Sequence, residues 1–314
     1  MKYIFSKLYL FLIKLRHVLY RYKIFKIHKF NTPKISIGNI ELGGTGKTPM
    51  TILISQQLAN LNINHAIISR GYKKEMNGLI ILNSDSKKQN FSAQECGDEP
   101  LLLASKLKDV PILVSENKIN AIKIAKKKFN PKIIILDDAF QSLKISKTLN
   151  IVLINSLKAD NQFQLFPNGY LREPLWALNR ADLIIMTKTN IKSPSKFILD
   201  KIKNHYNGDI LYSQYIHQLL KFNTKQKQLL QTAENNISNV ILLSGIGDSK
   251  SFYQLSMNYS KNIIKEIKLA DHYNYNKNIK LVKSTLLNNS LDSSSTSIII
   301  TLKDFIKINP LIHS

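Results

Sequence analysis

The sequence predicts an α/β fold built on a doubly wound, mainly parallel sheet. Residues 35–49 are an apolar run that enters a glycine-rich turn and continues into a segment of helical character. From residue 51 to residue 187, short apolar runs alternate with longer amphipathic segments, which is typical of a parallel sheet. Residues 240–248 repeat the pattern of a strand entering a glycine turn, and they predict a second, smaller α/β domain that begins near residue 215.

The individual elements follow from the alternation of apolar runs with turn residues. Helices are expected over residues 51–60, 98–107 and 117–129, and strands over residues 65–69, 79–82, 110–115, 131–138, 150–155, 181–187 and 297–301. Residues 84–96 and 287–297 are polar and are expected to be loops, whereas residues 190–239 show only weak periodicity.

The first thirty residues predict an N-terminal amphipathic helix. At helical spacing, one face carries Ile4, Phe5, Leu8, Phe11, Leu12, Leu15, Val18 and Leu19, and the other carries Lys2, Lys7, Lys14, Arg16 and Arg21. This pattern is typical of a helix that lies in a membrane interface with its basic residues towards anionic headgroups. The alternative is a terminal helix that packs on its own domain. The longest run without a charge, residues 8–13, is too short to span a bilayer, and no signal-peptide cleavage site is visible.

The composition narrows the class of protein. The chain has 314 residues and a net charge of +24, which would suit an anionic membrane, a polyanionic substrate or nucleic acid. The chain is also rich in Lys, Asn and Ile, and such a biased composition explains the positive charge without a polyanionic partner. Because no nucleic-acid-binding signature accompanies the charge, we expect no nucleic-acid partner. The single cysteine, Cys96, excludes an internal disulfide and suits a reducing cytosol.

The glycine-rich turn has the chemistry of a phosphate-binding loop. Gly43, Gly44, Thr45 and Gly46 are small, so the backbone can curl until its N–H groups converge on phosphate oxygens. Lys47 would then reach the β and γ phosphates, and the Thr48 hydroxyl would ligate Mg²⁺. The strict pattern requires glycine where this chain has Glu41, so the alternative is a glycine turn that binds no nucleotide.

A second element supports the nucleotide interpretation. Residues 133–138 are an apolar strand that ends in Asp137 and Asp138. In P-loop proteins a carboxylate at such a strand end holds Mg²⁺ near the phosphates. The two elements together predict a fold of the P-loop NTPase type that binds a nucleoside triphosphate and Mg²⁺.

Several sequence blocks, taken together, resemble the tetraacyldisaccharide 4′-kinase family, which phosphorylates the lipid A precursor. They run in the family's order from near residue 35 to residue 304. The blocks are residues 38–40, 43–49, 69–72, 97–100, 136–141, 167–174, 244–247, 271–273 and 301–304. The resemblance implies an ATP- and Mg²⁺-dependent kinase for the 4′-hydroxyl of a tetraacyldisaccharide 1-phosphate. It implies a peripheral enzyme at the cytoplasmic face of the inner membrane, with no obligate protein partner inferred.

The resemblance also implies roles for individual residues. Asp98 would be the general base, with His272 oriented beside it, and Arg172 would stabilise the transferring phosphate. Glu173 would join Asp138 and Asp137 around Mg²⁺, and Gln141 would order the metal or the nucleotide. Substrate contacts are expected from Asn39, Ser69, Arg70 and Tyr72. The expected division is a membrane-interfacial amphipathic helix at residues 1–30, a P-loop kinase core at residues 31–215 and a smaller α/β domain at residues 216–314 that closes over the cleft.

The chain departs from the family at five positions. The family usually has Gly at Ala139, His at Ser142, Arg near Lys118, a second His at Tyr273 and Glu at Leu302. These departures concern some polar contacts to the nucleotide or the substrate. They leave Lys47, Thr48 and the main carboxylates unchanged.

Two other functions compete with a kinase. Residues 185–190 resemble the guanine-reading element of a P-loop GTPase or a metallochaperone-type NTPase, but the final position is Asn190, whereas a carboxylate pairs with guanine. The sequence also lacks metal-binding clusters of His and Cys. The other competing function is a non-enzymatic membrane-binding module that uses the nucleotide as a switch.

Overall fold

The computed structural model describes the chain except residues 73, 83–90, 224–227, 233–236, 248, 261, 271–272, 274, 276–295 and 313–314. The chain divides into two compact units. The larger, here called the P-loop unit, comprises Met1–Phe91 and Glu95–Tyr215, and the smaller, the C-terminal unit, comprises Ser92–Gln94 and Ile216–Ser314. The predicted roles of a membrane helix, a kinase core and a closing domain stay predictions.

The P-loop unit is built on an eight-stranded sheet. Its strands are β1 (Lys34–Asn39), β2 (His65–Ser69), β3 (Ile80–Leu82), β4 (Ile112–Val114), β5 (Ile133–Asp137), β6 (Leu149–Asn155), β7 (Leu183–Thr187) and β8 (Ile210–Tyr212). Their spatial order is β3-β4-β2-β5-β1-β6-β7-β8, and β3 is the antiparallel member. Strand β1 pairs in parallel with β5, with Ile37 in register with Asp137. The turn after β1 and the acidic end of β5 therefore leave the same edge of the sheet side by side.

Among the described residues, the first helix precedes the first strand, and the other helices fall between these strands or in the C-terminal unit. They are α1 (Lys2–Arg21), α2 (Lys47–Asn60), α3 (Ala93–Cys96), α4 (Asp98–Lys106), α5 (Lys118–Phe129), α6 (Lys196–Lys203), α7 (Ser249–Ser256) and α8 (Leu302–Ile312). Short 3₁₀ helices span Asp160–Gln162 and Leu175–Arg180. Helix α2 begins at Lys47, four residues before the predicted start, because Gly46 in the left-handed conformation caps it directly.

Apolar cores cover both faces of the large sheet. Within β2, Ile67 belongs to a cluster that contains Leu58 of α2, whereas Ile68 belongs to a cluster with Ala121 and Ile122 of α5. Both isoleucines are completely buried. Neighbouring residues of a strand point to opposite faces, so helices pack on both sides of the sheet. This confirms the predicted doubly wound, mainly parallel α/β fold.

Residues 190–239, which show only weak periodicity, contain helix α6 and three short strands. These strands are β8, β9 (Leu220–Asn223) and β10 (Gln228–Gln231), and the last two form an antiparallel pair. Elements of three to eight residues are too short to display a period. A local signal exists at Ser195, whose hydroxyl accepts a hydrogen bond from the Ile198 N–H at 3.2 Å and caps α6.

The C-terminal unit contains a small parallel sheet with strand order β12-β11-β13. Its strands are β11 (Asn239–Ser244), β12 (Ile263–Lys268) and β13 (Thr296–Ile300). The completely buried Asp304 accepts hydrogen bonds from the Gly245 N–H at 2.9 Å, the Tyr275 hydroxyl at 2.9 Å and the Thr301 hydroxyl at 2.7 Å. Asp304 thus ties the turn after β11 to the start of α8. This structural role accounts for the presence of Asp304 in one of the sequence blocks that resemble the family. Of the predicted loop over residues 287–297, residues 287–295 lie outside the described residues, and residues 296 and 297 belong to β13.

Helix α1 packs on the P-loop unit with one face and exposes the other. The exposed apolar side chains are Ile4, Phe5, Leu8, Phe11, Leu12, Leu15 and Val18. Ser6 is buried on the opposite face, and its hydroxyl donates to the Leu165 carbonyl at 3.3 Å. Within the part of the chain that the structure describes, no helix is both long and apolar enough to span a bilayer.

Candidate active site

Buried polar side chains from three strands form hydrogen bonds with the phosphate-binding loop. The Asn39 amide donates to the Thr45 hydroxyl at 2.7 Å, and the Asn155 amide donates to the Gly44 carbonyl at 3.3 Å. The Thr187 hydroxyl donates to the Thr45 carbonyl at 3.1 Å. Strands β1, β6 and β7 therefore each contribute one residue that fixes the loop, a preorganisation that a phosphate site requires.

Two glycines in this loop have left-handed backbone angles. Gly43 has φ 96° and Gly46 has φ 88°. A Cβ on Gly46 would lie 2.2 Å from the hydroxyl of Tyr215, so both the backbone angle and the neighbouring ring require glycine there. Lys47 and the buried Thr48 follow at the start of α2, where free N–H groups and the helix dipole favour an anion.

Glu41, which replaces the glycine of the strict pattern, is buried. Its carboxylate accepts a hydrogen bond from the Asn155 N–H at 3.2 Å. Burial raises the pKa of Glu41 to about 8, although Lys158 and Lys47 lower it. The side chain therefore holds a proton at neutral pH and adds no negative charge beneath the loop.

The two acidic residues at the end of β5 have different environments. Asp137 is buried, and its carboxylate accepts hydrogen bonds from the Ser69 hydroxyl at 2.9 Å and the Thr51 hydroxyl at 3.5 Å. Burial, with the Glu99 carboxylate nearby, raises the pKa of Asp137 to about 6. The Asp138 side chain is 34% exposed and lies 3.9 Å from the Lys47 ammonium.

Asp138 loses its proton at a much lower pH than Asp137. Burial would raise its pKa, but the charges of Lys47 and Arg172 outweigh that effect and lower the pKa to about 2. Asp138 has a left-handed φ of 45°, so its side chain leaves the strand direction that Asp137 follows. The structure therefore distinguishes a buried carboxyl group with a raised pKa, Asp137, from one next to the phosphate loop with a lowered pKa, Asp138.

Arg172 reaches the loop because its segment pairs with the end of β1. The Arg172 N–H donates to the Ile40 carbonyl at 2.7 Å, and the Leu42 N–H donates to the Tyr170 carbonyl at 2.7 Å. The Arg172 guanidinium donates to the Asp138 carboxylate and to the Asn39 side-chain oxygen. Lys47, Asp138 and Arg172, which are distant in sequence, thus meet at one point.

Glu173 was expected in the Mg²⁺ shell, but the structure pairs it with another group. Its buried carboxylate forms an ion pair with Arg180, and the His17 ring nitrogen lies 3.9 Å away. The Arg180 guanidinium also donates to the Phe140 carbonyl at 3.1 Å. Arg180 thus compensates the charge of Glu173 and joins it to the segment that contains Phe140, while the role of Glu173 as a Mg²⁺ ligand stays a prediction.

Two expected substrate contacts are also occupied within the protein. Asn39 is completely buried between the loop and Arg172, and the buried Ser69 donates its hydroxyl to Asp137. Both side chains therefore orient other site residues, and their role as substrate contacts stays a prediction. Arg70 and Tyr72, the other two expected contacts, are exposed.

Gln141 follows the acidic strand end by three positions, and Asp98 begins helix α4. The Gln141 amide donates to the Asn39 carbonyl at 2.8 Å. Asp98 is buried at the first turn of α4, where its carboxylate accepts a hydrogen bond from the Glu99 N–H at 3.0 Å. Glu99, the next residue, is close enough to affect the pKa of Asp137. His272, the expected partner of Asp98, lies outside the described residues.

The residues that suggested a guanine-reading element have other partners. The Asn190 side chain accepts a hydrogen bond from the Tyr215 N–H at 2.9 Å and donates to the Tyr215 carbonyl at 3.1 Å. The Lys188 ammonium lies 5.8 Å from the centre of the Tyr215 ring. This motif therefore holds Tyr215 against the phosphate loop. Among the described residues, no group of three or more His, Cys, Asp or Glu side chains is arranged to hold a metal ion.

Four residues that were not among the predicted site residues contact the site. Arg180 pairs with Glu173, and the buried Lys118 donates its ammonium to the Asp137 carbonyl. Tyr9 of α1 donates its hydroxyl to the Arg172 carbonyl at 2.8 Å. Arg16, expected to face lipid headgroups, donates instead to the Gln141 carbonyl at 2.5 Å. A basic residue within a helix carries no sequence signal for a partner over a hundred positions away.

Comparison with known proteins identifies the family. The family model described as Tetraacyldisaccharide-1-P 4′-kinase (LpxK) matches residues 1–314. The Tetraacyldisaccharide 4′-kinase of Halothermothrix orenii is 33% identical over 284 residues, covering 87% of this chain and 74% of the relative. That of Wigglesworthia glossinidia brevipalpis is 33% identical over 305 residues, covering 97% and 76%.

A solved structure is similar along most of the chain. The crystal structure of LpxK from Aquifex aeolicus in complex with ATP superposes with a TM-score of 0.72 at 27% identity, covering 97% of this chain and 88% of that one. The chain belongs to the tetraacyldisaccharide 4′-kinase family. The resemblance found in the sequence blocks is thereby confirmed, and the NTPase alternative is not favoured.

Proposed function

We propose that this chain transfers the γ-phosphate of ATP to the 4′-hydroxyl of a tetraacylated disaccharide 1-phosphate, the precursor of lipid A. The observation that carries the proposal is the meeting of Lys47, Asp138 and Arg172 beside the phosphate loop. Family membership supports the acceptor, and the ATP bound in the Aquifex aeolicus relative supports the donor.

The phosphates would bind on Gly43, Gly44, Thr45 and Gly46, with Lys47 at the β and γ positions. The loop supplies backbone N–H groups, and α2 adds the positive end of its dipole. Lys47 and Arg172 already flank one anion, Asp138, so both are placed to share their charge with a phosphate. Phosphoryl transfer gains most from such preorganised positive charge.

Mg²⁺ would be held by Asp138 and the Thr48 hydroxyl. Mg²⁺ in kinases takes one or two carboxylates and completes its shell with phosphate oxygens and water, so these two ligands fit the ion. Asp138 is ionised and partly exposed, whereas the oxygens of Asp137 accept hydrogen bonds from Ser69 and Thr51. We therefore place Asp137 behind the metal. When bound, Mg²⁺ would neutralise charge on the phosphates.

Asp98 would take the proton of the sugar hydroxyl. A hydroxyl is a weak nucleophile at neutral pH, and a positioned carboxylate assists its attack. The N–H of Glu99 orients one oxygen of Asp98 at 3.0 Å, and the buried turn limits access of water. Arg70 and Tyr72 are exposed after β2, at the carboxyl edge where ligands of α/β sheets bind, and would contact the anionic lipid substrate.

The protein would work as a peripheral enzyme at the cytoplasmic face of the inner membrane. The exposed apolar face of α1 and the net charge of +24 support binding to an anionic bilayer. The protein would act without nucleic acid and without an obligate protein partner.

A transfer assay tests the function directly. Purified protein is incubated with γ-labelled ATP, Mg²⁺ and the tetraacylated disaccharide 1-phosphate in detergent micelles, with the Asp98→Ala variant in parallel. Labelled bisphosphorylated lipid from the wild type is expected, with little from the variant. Hydrolysis of ATP or GTP without labelled lipid would refute the kinase and favour an NTPase switch.

A further inference from the structure

Helix α1 contacts two segments of the candidate active site through its polar face. The first segment contains Asp138 and Gln141, and the second contains Arg172 and Glu173. The Tyr9 hydroxyl donates to the Arg172 carbonyl at 2.8 Å, and the Arg16 guanidinium donates to the Gln141 carbonyl at 2.5 Å. Residues 9 and 16 are two helical turns apart, so both contacts come from one face of α1.

His17 adds a third contact on the same face. Its ring packs edge-on against Trp176 with 4.8 Å between ring centres, and its nitrogen lies 3.9 Å from the Glu173 carboxylate. Burial and the charges of Arg180 and Arg16 lower the pKa of His17 to about 4. His17 is therefore neutral at physiological pH and packs as an uncharged ring, while Arg180 compensates Glu173.

The opposite face of α1 has a different character. Large apolar side chains there are strongly exposed, with Phe11 at 60% and Leu8 at 55%. One helix thus presents apolar residues to its surroundings and polar residues to the active-site segments. An anchor alone would not require three specific contacts to those segments.

We infer that α1 is a structural part of the active site, in which Tyr9 and Arg16 are positioning residues that hold Arg172 and Gln141. The inference rests on the proposed function and deepens it. Arg172 and Gln141 in turn hold Asp138 and Asn39, respectively. Binding of the apolar face to a lipid surface would therefore keep the Arg172 segment at a set depth and orientation relative to the lipid acceptor.

The decisive variant is Tyr9→Phe, which removes one hydroxyl and keeps the ring. Its matched control is Tyr3→Phe on the same helix, because Tyr3 is 63% exposed. Loss of one hydrogen bond that acts in the transition state should lower kcat about 5- to 10-fold, while KM for ATP changes less than about twofold. Tyr3→Phe should match the wild type.

A second pair of variants tests Arg16. Arg16→Gln removes the charge, and Arg16→Lys keeps it, so the lysine variant should recover part of the kcat that the glutamine variant loses. Membrane affinity is measured separately by co-sedimentation with anionic liposomes, and Tyr9→Phe should bind them like the wild type. Trp176 is the one tryptophan of the chain, so a changed emission in these variants would report altered packing of α1 against it.

The outcomes separate this inference from the proposed function. If the wild type transfers phosphate and Tyr9→Phe and Arg16→Gln transfer it equally well, the inference is wrong and α1 is only an anchor. A fall in transfer that tracks a fall in liposome binding would also overturn it. If the wild type itself transfers no phosphate to lipid, the proposed function is what fails.

Discussion

The guanidinium of Arg172 lies against the carboxylate of Asp138, 34 positions earlier in the chain. Lys47 lies 3.9 Å from the same carboxylate. The three side chains come from the first residue of α2, the residue that follows β5 and a segment that pairs with the end of β1. Two cations around one carboxylate form a site whose positive charge can be shared with phosphate.

Replacing Arg172 should reduce phosphate transfer strongly. We expect Arg172→Gln to lower kcat/KM about 100-fold or more, since it removes a charge directed at the transferring group. Arg172→Lys should recover only part of this loss, because lysine lacks the planar fork that donates to both Asp138 and Asn39. Steady-state transfer assays measure both variants. Equal activity of all three proteins would contradict the role of Arg172.

Lys47→Ala should abolish activity without unfolding the protein. The Lys47–Asp138 pair is long, at 3.9 Å, so its loss should cost little stability. We expect ATP affinity to fall about 100-fold, in line with loss of a charge-assisted phosphate contact, while the melting temperature stays close to that of the wild type. Lys123→Ala, at an exposed position of α5, is the control. A collapse of the melting temperature would indicate a structural role instead.

Asp98→Asn should lower turnover far more than ATP affinity. A general base typically contributes about 10²- to 10⁴-fold to the rate, and it acts on the acceptor hydroxyl rather than on the nucleotide. Comparing kcat with the dissociation constant for ATP checks this. Asp109→Asn, an exposed site, is the matched control and should behave like the wild type. Parallel losses in turnover and ATP binding would argue against Asp98 as the base.

Asp137→Asn should stabilise the fold at neutral pH. Burial raises the pKa of Asp137 from 3.8 to about 6, so between these values the folded state binds more protons than the unfolded state. Stability therefore falls as the pH rises through this window, and the cost is complete above pH 6. A shift of about two units corresponds to about 3 kcal/mol, which the asparagine variant would recover in part.

Denaturant unfolding between pH 4 and pH 8 measures this effect, with the wild type and Asp137→Asn compared at each pH. The variant should show a smaller decrease in stability than the wild type as the pH rises through the window, rather than none, because the contribution of buried Glu41, whose pKa is raised to about 8, remains in both proteins. A variant less stable than the wild type at pH 7 would mean that the ionised carboxylate stabilises the fold.

Gly46→Ala should destabilise the protein, whereas Gly44→Ala should be tolerated. Gly46 has φ 88°, and a Cβ there would meet the Tyr215 hydroxyl, while a Cβ on Gly44 would have no atom within 4 Å. The left-handed angle alone costs an alanine about 1 to 2 kcal/mol. Thermal unfolding without added nucleotide compares the two variants. Equal melting temperatures would show that the turn can relax around the new methyl group.

The local chemistry of the loop and of the acidic strand end was predictable from sequence, because both depend on neighbours within a few positions. Glycine turns before a Gly-Lys-Thr and an apolar strand that ends in Asp-Asp carry their signal locally. The order of the blocks predicted the family, and the comparisons confirmed it. The predicted start of α2 was four residues too late, because the true start at Lys47 depends on the left-handed backbone angle of Gly46, the N-cap residue.

The partners of the charged residues were not predictable. Sequence placed Glu173 with Mg²⁺, yet the fold brings Arg180 to it, and sequence placed Asn39 and Ser69 on a substrate, yet the fold buries both. The different pKa values of Asp137 and Asp138 have the same origin, since burial dominates at Asp137, whereas the charges of Lys47 and Arg172 outweigh it at Asp138.

The sequence by itself determined the α/β fold class, the phosphate loop, the acidic strand end and an amphipathic first helix, because each is a periodic or contiguous pattern. Only the tertiary structure decided that Tyr9 and Arg16 of that helix contact Arg172 and Gln141. Such contacts join positions more than a hundred residues apart. They form where packed elements meet, and no local pattern of residues encodes them.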